Sequence, residues 1–260
     1  MPAASTPPIQ ALEKAIAVFE TICMSDAPMR ISDMARALGM NKTTVFRILQ
    51  TFISLGYVNQ EIGTDRYAAT LKVAAFSNLV LNRIEIRHIA RDIMRALSQE
   101  VHDSVHLSIK DRDEAVIIEK IESDEATRIS FHIGRRSPLY TTGTGKIMLA
   151  FMPADQLEQY LARASFFAHT PTTLTAPDAL KAELEQIRET GVAFDRGENK
   201  VGVSCVAAPI HDYSGRLVAG VSIVGPTYRV SADFDTLAPK VAAAARSISM
   251  RLGSQIQSKL

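Results

Sequence analysis

The sequence has few cysteines and no segment suited to a membrane. Cys23 and Cys205 are the two cysteines among 260 residues, and they lie far apart in apolar surroundings. Neither a disulfide framework nor a metal-binding spacing is present, which suits a reducing compartment. No apolar run approaches the roughly 20 residues of a transmembrane helix. Residues 1–8 lack the basic and apolar regions of a signal peptide, so we expect a disordered tail on a cytoplasmic protein.

Sequence patterns of common enzyme classes are also missing. No HExxH, GxSxG or GxGxxG occurs, which weakens the case for an enzyme. His102 and His106 flank Asp103, but no third metal ligand is near in sequence. Asp195 and Glu198 share one loop without a neighbouring nucleophile, so we expect them to tie that loop by hydrogen bonds. We predict no catalytic residue, no metal site and no cofactor.

Length and composition predict a folded, soluble protein. The hydrophobic fraction of 47% and the charged fraction of 22% are ordinary, and 260 residues suffice for one large or two ordinary domains. The formal net charge of +1 is uninformative for the chain as a whole. Residues 30–72, however, carry six basic and three acidic side chains. A local positive excess of this kind attracts phosphates.

Residues 31–58 predict two short helices joined by a turn at Gly39. Ser32 is placed to cap the first helix, and glycine readily adopts the positive φ that ends one. The second helix, residues 42–54, turns an apolar stripe inward. Its outer face has hydrogen-bond donors and no acidic side chain. A DNA groove requires such a face, because phosphates flank the groove and the base edges offer hydrogen-bond acceptors. That face consists of Lys42, Thr43, Thr44, Arg47, Gln50 and Thr51.

The flanks of this helix pair favour DNA binding over the general alternative, a helical hairpin of any function. A third amphipathic helix is predicted over residues 9–24. After the pair comes a short hairpin, with Gly63 in its polar turn and Arg66 near its tip. We therefore predict a winged helix-turn-helix DNA-binding domain over residues 9–70, in which Lys42 and Arg66 contact phosphates.

The rest of the chain predicts a linker helix and an α+β domain. A helical pattern extends over residues 71–101, of which we assign 71–85 to the linker and 86 onward, to 260, to the second domain. An apolar stripe on this helix would favour dimerisation if exposed, and packing on its own chain is the alternative. The second domain reads as an antiparallel sheet flanked by helices. Strands are predicted at 104–110, 114–121, 128–133, 192–195, 203–210 and 217–224, and helices at 146–151, 153–164, 177–190 and 232–252, the last kinked or split at Pro239.

Residues 138–146 form a loop rich in threonine and glycine before a predicted helix. Free backbone N–H groups at a helix start, together with the helix dipole, favour a carboxylate or phosphate. The loop is not a P-loop, because Tyr140 occupies the first glycine position and Ile147 the Ser/Thr position. Ordinary helix capping is the alternative.

The hairpin over residues 203–224 predicts a ligand-binding wall. An even-length turn places Cys205 and Ser222 on one sheet face, together with Val203, Ala207 and Val224. Two small polar groups in an apolar wall are typical of a ligand pocket. A small buried hydrophobic side chain is the alternative for Cys205.

The whole chain resembles the IclR family of bacterial transcription regulators. The resemblance rests on ISDMARALGMNKTTVFRILQTFISLGYV, SPLYTTGTGKIMLA and GVAFDRGENKVGVSCVAAPIHDYSGRLVAGVSIVGP. It implies a winged DNA-binding domain, a linker helix and a C-terminal effector domain of GAF-like fold. It also implies dimers through the DNA-binding part and often tetramers through the effector part.

By position, the resemblance places Thr43, Thr44 and Arg47 in the DNA groove. The family's effector pocket matches at Gly143, Thr144, Cys205 and Ser222. Two positions depart from it: Val224 replaces a serine of some members, and Val192 a frequent tyrosine. Fewer hydroxyl groups imply a drier pocket, so no single member's ligand is carried over.

The expected effector is a small organic or aromatic acid. Its carboxylate would bind the backbone amides of residues 143–145, and its body would contact Phe131, Met148 and Val224. The complete predicted effector site is Phe131, Gly143, Thr144, Gly145, Met148, Val203, Cys205, Ser222 and Val224.

These observations predict a ligand-responsive regulator that binds a pseudo-palindromic double-stranded DNA operator as a homodimer or homotetramer. One alternative is a small-molecule enzyme that uses Cys205 as its nucleophile, with a regulatory N-terminal domain. Another is a DNA-packaging protein that ignores both sequence and ligand.

Overall fold

The computed structural model describes residues 9–81, 85–124, 129 and 131–254. The chain divides into two compact units, Met1–Arg83 and Ile84–Leu260. The first contains the helix-turn-helix and the second an antiparallel sheet with helices, which confirms the predicted α+β class. The predicted tail over residues 1–8 lies outside the described residues, and so does 82–84 within the predicted continuous helix.

The first unit packs three helices against a small sheet. Its elements are α1 (Gln10–Cys23), β1 (Met29–Arg30), α2 (Ile31–Leu38), α3 (Lys42–Ser54), β2 (Val58–Gln60), β3 (Arg66–Ala69) and α4 (Leu71–Leu81). The sheet order is β1-β3-β2, and the β2–β3 hairpin is the predicted wing. Val18 of α1, Met34 of α2, and Val45 and Leu49 of α3 are completely buried together. The apolar stripe predicted for α3 is therefore its inner face.

The turn between α2 and α3 has the predicted glycine and an additional cap. Gly39 ends α2 with φ +62°, a conformation that costs glycine little. Ser32 was predicted to cap α2, which is wrong: Arg30 is the N-cap residue and gives no side-chain cap bond. The reason is that β1 ends at Arg30 and α2 begins at the next residue, so Ser32 lies inside the helix instead of before it. At the start of α3, the Asn41 side chain accepts the Thr44 N–H at 2.7 Å.

The second unit is a six-stranded antiparallel sheet in the order β6-β5-β4-β9-β8-β7. Its elements are α5 (Glu85–Val101), β4 (Ser104–Asp111), β5 (Glu114–Ile121), β6 (Arg136–Pro138), a 3-10 turn (Leu139–Thr141), α6 (Gly143–Ala150), α7 (Ala154–Arg163), α8 (Pro177–Thr190), β7 (Ala193–Asp195), β8 (Val203–His211), β9 (Leu217–Pro226), α9 (Thr227–Val230) and α10 (Phe234–Arg251). Helix α6 packs on one sheet face, whereas α5 and α10 pack on the other. No described helix is long and apolar enough to cross a membrane.

Three predicted elements of this unit are corrected. The strand predicted at 128–133 is wrong where the structure describes it, because 129 and 131–132 are not in a strand and β6 pairs with β5 instead. Helix α6 begins at Gly143 rather than Lys146, since the Thr142 hydroxyl accepts the Gly145 N–H at 3.0 Å. The last helix is not split at Pro239, which lies in its second turn, where a missing N–H removes one helix bond.

The register of the central strands confirms that the predicted hairpin residues share one sheet face. Cys205 pairs with Val224, and Ala207 pairs with Ser222, so these four side chains share a face. Strand β4 lies on the other side of β9 and pairs His106 with Ser222. This pairing brings His106 to the same wall.

Candidate DNA-binding surface and ligand cavity

The outer face of α3 is a polar surface suited to a DNA groove. Thr43, Arg47 and Gln50 lie opposite the buried Val45 and Leu49, and all three are exposed. Of the other predicted contacts, Lys42 and Thr51 are exposed and Thr44 is half-buried. Within the described residues, neither Lys42 nor Arg47 forms an ion pair. The two cations on this helix are therefore available to phosphates or base edges.

The basic residues around the wing are largely engaged within the unit. The Arg66 guanidinium donates to the Pro28 carbonyl at 2.9 Å and joins β3 to the segment before β1. The Lys72 ammonium donates to the Leu55 carbonyl at 2.7 Å and lies 4.4 Å from the centre of the Tyr57 ring. Arg66, which was predicted to contact a phosphate, therefore holds the wing in place. Only its guanidinium nitrogens other than Nη1 remain for a DNA contact.

A cavity of about 50 Å³ opens beside the α6 face of the sheet in the second unit. It brings together six of the nine predicted effector residues, from β8, β9, α6 and the segment after β5. Those six are Phe131, Thr144, Val203, Cys205, Ser222 and Val224. These six residues form an apolar part of the wall with two hydroxyl groups and a thiol, as is typical of a site for a small organic ligand.

The other three predicted effector residues lie behind the cavity rather than in its wall. A Cβ on Gly143 would lie 2.9 Å from the Cys205 sulfur, so only glycine lets the helix approach β8 this closely. A Cβ on Gly145 would overlap the Leu139 carbonyl. Met148 is buried in the apolar core beneath α6 and does not line the cavity.

One of the backbone amides at the start of α6 is already engaged. The Gly145 N–H donates to the Thr142 hydroxyl at 3.0 Å, which is ordinary helix capping. A carboxylate that bound the Gly145 N–H would have to displace this bond. Binding of a carboxylate across residues 143–145 stays a prediction.

His106 is a polar group of the cavity that the sequence did not reveal. Burial, followed by the charge of Lys120, lowers the pKa of His106 to about 4, so the imidazole is neutral near pH 7. Its Nε2 is buried and has no hydrogen-bond partner within the described residues. The ring lies 5.9 Å from the Phe131 ring, centre to centre. A buried polar atom without a partner in a cavity wall is a candidate to bind a ligand.

Two cations also line the cavity and were not predicted. The Arg135 guanidinium lies 4.2 Å from the centre of the Phe131 ring, and the Lys200 ammonium lies 5.6 Å from it. Neither forms an ion pair in the part of the chain that the structure describes. The cavity therefore offers positive charge beside an aromatic face, which suits an anion with an apolar body.

A buried ionic cluster closes the cavity on the side of β7. Lys146 is completely buried, and its ammonium lies 2.8 Å from both oxygens of Glu198 and 2.5 Å from Glu183. Asp195 lines the cavity and accepts the Glu198 N–H at 2.7 Å. Burial, aided by the Glu198 charge, raises the pKa of Asp195 to about 7. As expected, the hydrogen bond between the Asp195 carboxyl and the Glu198 N–H stabilises this loop.

The state of Cys205 argues against the enzyme alternative. Its side chain is buried, and burial, followed by the charge of Asp195, raises the pKa of the thiol well above its usual range. A thiol nucleophile reacts as its thiolate, which this environment disfavours. Nor do the described residues contain a group of three His, Cys, Asp or Glu able to hold a metal ion.

Known proteins resemble both units. The family description "Bacterial transcriptional regulator IclR C-terminal" matches residues 78–250, and "IclR helix-turn-helix domain" matches residues 11–61. The HTH-type transcriptional regulator KdgR of Escherichia coli is 37% identical over 224 residues, which cover 86% of this chain and 85% of that protein.

Solved structures share the fold over nearly the whole chain. The crystal structure of the Thermotoga maritima IclR has a TM-score of 0.78 at 32% identity and covers 94% of this chain and 99% of that one. An IclR homologue of Microbacterium hydrocarbonoxydans, complexed with 4-hydroxybenzoate, has a TM-score of 0.78 at 21% identity, covering 93% and 98%. The relatives are named as transcription regulators rather than enzymes. The chain therefore belongs to the IclR family of DNA-binding transcription regulators.

Proposed function

We propose that this protein recognises a pseudo-palindromic operator and is controlled by a small organic or aromatic acid bound beside Phe131. The observation that carries the proposal is the pair of cations, Arg135 and Lys200, over the Phe131 ring in the cavity wall. The proposal retains a DNA-binding domain over residues 9–70, a linker over 71–85 and an effector domain over 86–260. It also retains the cytoplasm as the location.

On the DNA side, α3 enters the major groove with Thr43, Arg47 and Gln50 toward the base edges. Lys42 is the first residue of α3 and contacts a phosphate from there. Hydroxyl, amide and guanidinium groups together can read donors and acceptors of several base pairs.

One helix-turn-helix reads one half-site, so a pseudo-palindrome requires two copies of the chain. Exposed apolar side chains on α1 and just after α3 support this pairing in the first unit. Leu12, Ile16 and Leu55 remain 59%, 44% and 53% exposed. Burial of these side chains against a second copy would stabilise a homodimer, or one half of a homotetramer.

On the ligand side, Arg135 binds the carboxylate, with Lys200 as the second cation. The apolar body lies among Phe131, Val203 and Val224, and a polar substituent bonds to His106 Nε2. The neighbour from Microbacterium hydrocarbonoxydans holds 4-hydroxybenzoate, an acid of this chemical class. The proposal takes only the class from that protein.

The cavity must widen to accept such a ligand, because about 50 Å³ is well below the roughly 300–1,000 Å³ of small-molecule sites. Strands β4 and β5 line the cavity with His106 and Ile117 and also contact α5. Widening would therefore shift α5, whose first residue is Glu85, next to the linker. A ligand that favours the wider state shifts the population toward it and changes the spacing of the paired DNA-binding domains.

Selection of a DNA site from a random library, followed by titration of that complex with aliphatic and aromatic carboxylates, tests the proposal. We expect one class of acid to change DNA affinity at least tenfold. In Arg135→Gln, the acid concentration that gives half of the response should rise at least tenfold, since a bidentate charged contact is lost. DNA affinity without acid should stay unchanged.

Arg163→Gln is the control, because Arg163 is exposed on α7 and bonds to Asp113 away from the cavity. It should respond as the wild type does. A full response in Arg135→Gln, or the absence of a response to every carboxylate, would contradict the proposed effector site.

The charge of Asp195 predicts a pH dependence of acid binding. With a pKa of about 7, this carboxyl is mostly protonated at pH 6 and mostly ionised at pH 8. The ligand carboxylate stays ionised over this range, and His106 stays neutral because its pKa is about 4. Ionised Asp195 repels the ligand, so affinity should fall roughly three- to tenfold from pH 6 to 8. Calorimetric titration of the wild type and Asp195→Asn checks this, and an equal pH dependence in both would refute it.

A further inference from the structure

We propose that a second cavity, where β8, α10 and the end of α8 meet, binds a small monocarboxylate through Arg246 and Arg188. This site is independent of the effector cavity and would take a second ligand. It lies entirely within the second unit, where α10, β8 and the turn after α8 meet.

The cavity has a volume of about 210 Å³. Ala208 lines it from β8, whereas Cys205 and Ala207 of that strand face α6. Pro209 and Phe151 line it as well, and it shares no lining residue with the effector cavity.

Arg246 of α10 provides the unsatisfied donor in this cavity. Its Nη1 is buried and has no hydrogen-bond partner within the described residues. No ion pair of Arg246 occurs there either. No described protein group accepts a hydrogen bond from this nitrogen, so an anion in the cavity would supply an acceptor there.

A second guanidinium lies in the same wall and is held in place. Arg188, near the end of α8, donates from Nε to the Ala150 carbonyl at 2.5 Å. This bond leaves its terminal nitrogens for the cavity that it lines. Guanidinium groups match the geometry of carboxylates, and two of them can hold one ligand from both sides.

The charge and polarity of the other lining residues determine which kind of anion fits this cavity. Two arginines and one carboxylate, Glu189, give the lining a net charge of +1, which favours a monoanion over a dianion. His211 adds a hydrogen-bonding ring rather than a third cation, because burial lowers its pKa below the usual value. Phe151 and the alanines at 208, 242 and 245 are apolar, so they fit a short hydrocarbon body better than inorganic phosphate does.

Thermal unfolding in sodium butyrate and sodium benzoate, with sodium phosphate and sodium chloride at equal ionic strength, tests this site. The experiment uses Arg135→Gln as background, so that the proposed effector cavity does not contribute. At a carboxylate concentration about a hundredfold above Kd, we expect the midpoint temperature to rise by roughly 5–10 °C. Phosphate and chloride should give no comparable rise. Calorimetry should find one carboxylate bound per chain.

Arg246→Met in the same background keeps the apolar stem and removes the guanidinium. Without carboxylate it should unfold at about the temperature of its parent, since no hydrogen bond to the described protein groups is lost. It should also lose the carboxylate-dependent rise. Arg246→Lys keeps the positive charge but loses the planar guanidinium, which can donate two parallel hydrogen bonds to a carboxylate. It should therefore weaken carboxylate binding at least tenfold.

Three results would overturn the proposal. The first is an equal rise in chloride or phosphate, or no rise in either carboxylate. The second is a rise that persists in Arg246→Met, which would put the ligand elsewhere. The third is that, without carboxylate, Arg246→Met unfolds at a temperature well below that of its parent. The arginine would then stabilise the fold and not bind a ligand.

Discussion

Lys146→Met is expected to lower the free energy of unfolding by about 3–5 kcal/mol, the usual cost of removing one partner from a buried ion pair. Lys146 is fully buried between Glu198 and Glu183, and the side chain of Glu198 is only 4% exposed. Methionine fills most of the volume but leaves the Glu198 carboxylate without its cation. Urea unfolding at pH 8 measures the loss.

The same variant should lose less stability at pH 5 than at pH 8. Without Lys146, Glu198 and Glu183 can take up protons at the lower pH. Burial of a neutral carboxylic acid costs less free energy than burial of a carboxylate. Lys181→Met is the matched control, because Lys181 pairs with Glu158 on the surface. That exposed pair should contribute at most about 1 kcal/mol. Equal losses in the two variants would show that the buried cluster does not stabilise the second unit.

Arg47→Ala is expected to weaken operator binding about ten- to hundredfold while the protein stays folded. The side chain is exposed at the centre of the outer face of α3, so its removal disturbs no core contact. A bidentate base contact contributes about 1–3 kcal/mol, which corresponds to this loss. Fluorescence anisotropy with the selected operator measures it, with circular dichroism to check the fold.

A salt series distinguishes the two kinds of contact that Arg47 can make. A phosphate contact predicts a loss on every DNA sequence and a salt slope smaller by about one. A base contact predicts a loss on the operator alone. Arg163→Ala, which removes an exposed arginine from the second unit, should leave binding unchanged. Unaltered affinity of Arg47→Ala at every salt concentration would remove α3 from the interface.

Bulk DNA separates the regulator from the packaging alternative. A specific regulator keeps a large preference for one site in the presence of excess competitor, since specific affinities exceed non-specific ones by about 10³–10⁷. Complete displacement from the operator by an equal mass of random DNA would favour the packaging protein.

The helix-turn-helix could be predicted from sequence because its signals are local. The apolar spacing that buries Val45 and Leu49, and the glycine that ends α2, each involve neighbours within two helical turns. The misassigned cap at Ser32 shows the limit of such signals. Strand β1 is two residues long and exists only through its pairing with β3, which lies far along the chain.

The predicted arrangement of cavity residues agrees with the structure where one hairpin supplies them and was incomplete where several strands do. Cys205 and Ser222 belong to neighbouring strands joined by a short turn, so counting residues placed them on one face. His106 reaches that face only because β4 pairs with β9, a non-local contact with no signal in the sequence. Met148 lies one turn beyond Thr144 on α6, in the apolar core, and does not line the cavity.

Residue types and their local spacing thus sufficed for the fold class, the outer face of α3 and the apolar wall of the cavity. Long-range packing alone determined which charges are available to a ligand or to DNA. Lys146 and Arg66 look like anion-binding cations in the sequence, yet packing joins them to Glu198 and to the Pro28 carbonyl. Arg135 and Arg246 carry the same charge and lack such partners within the described residues. A charge is satisfied by whatever acceptor folding brings within about 3 Å, and that acceptor is usually distant along the chain.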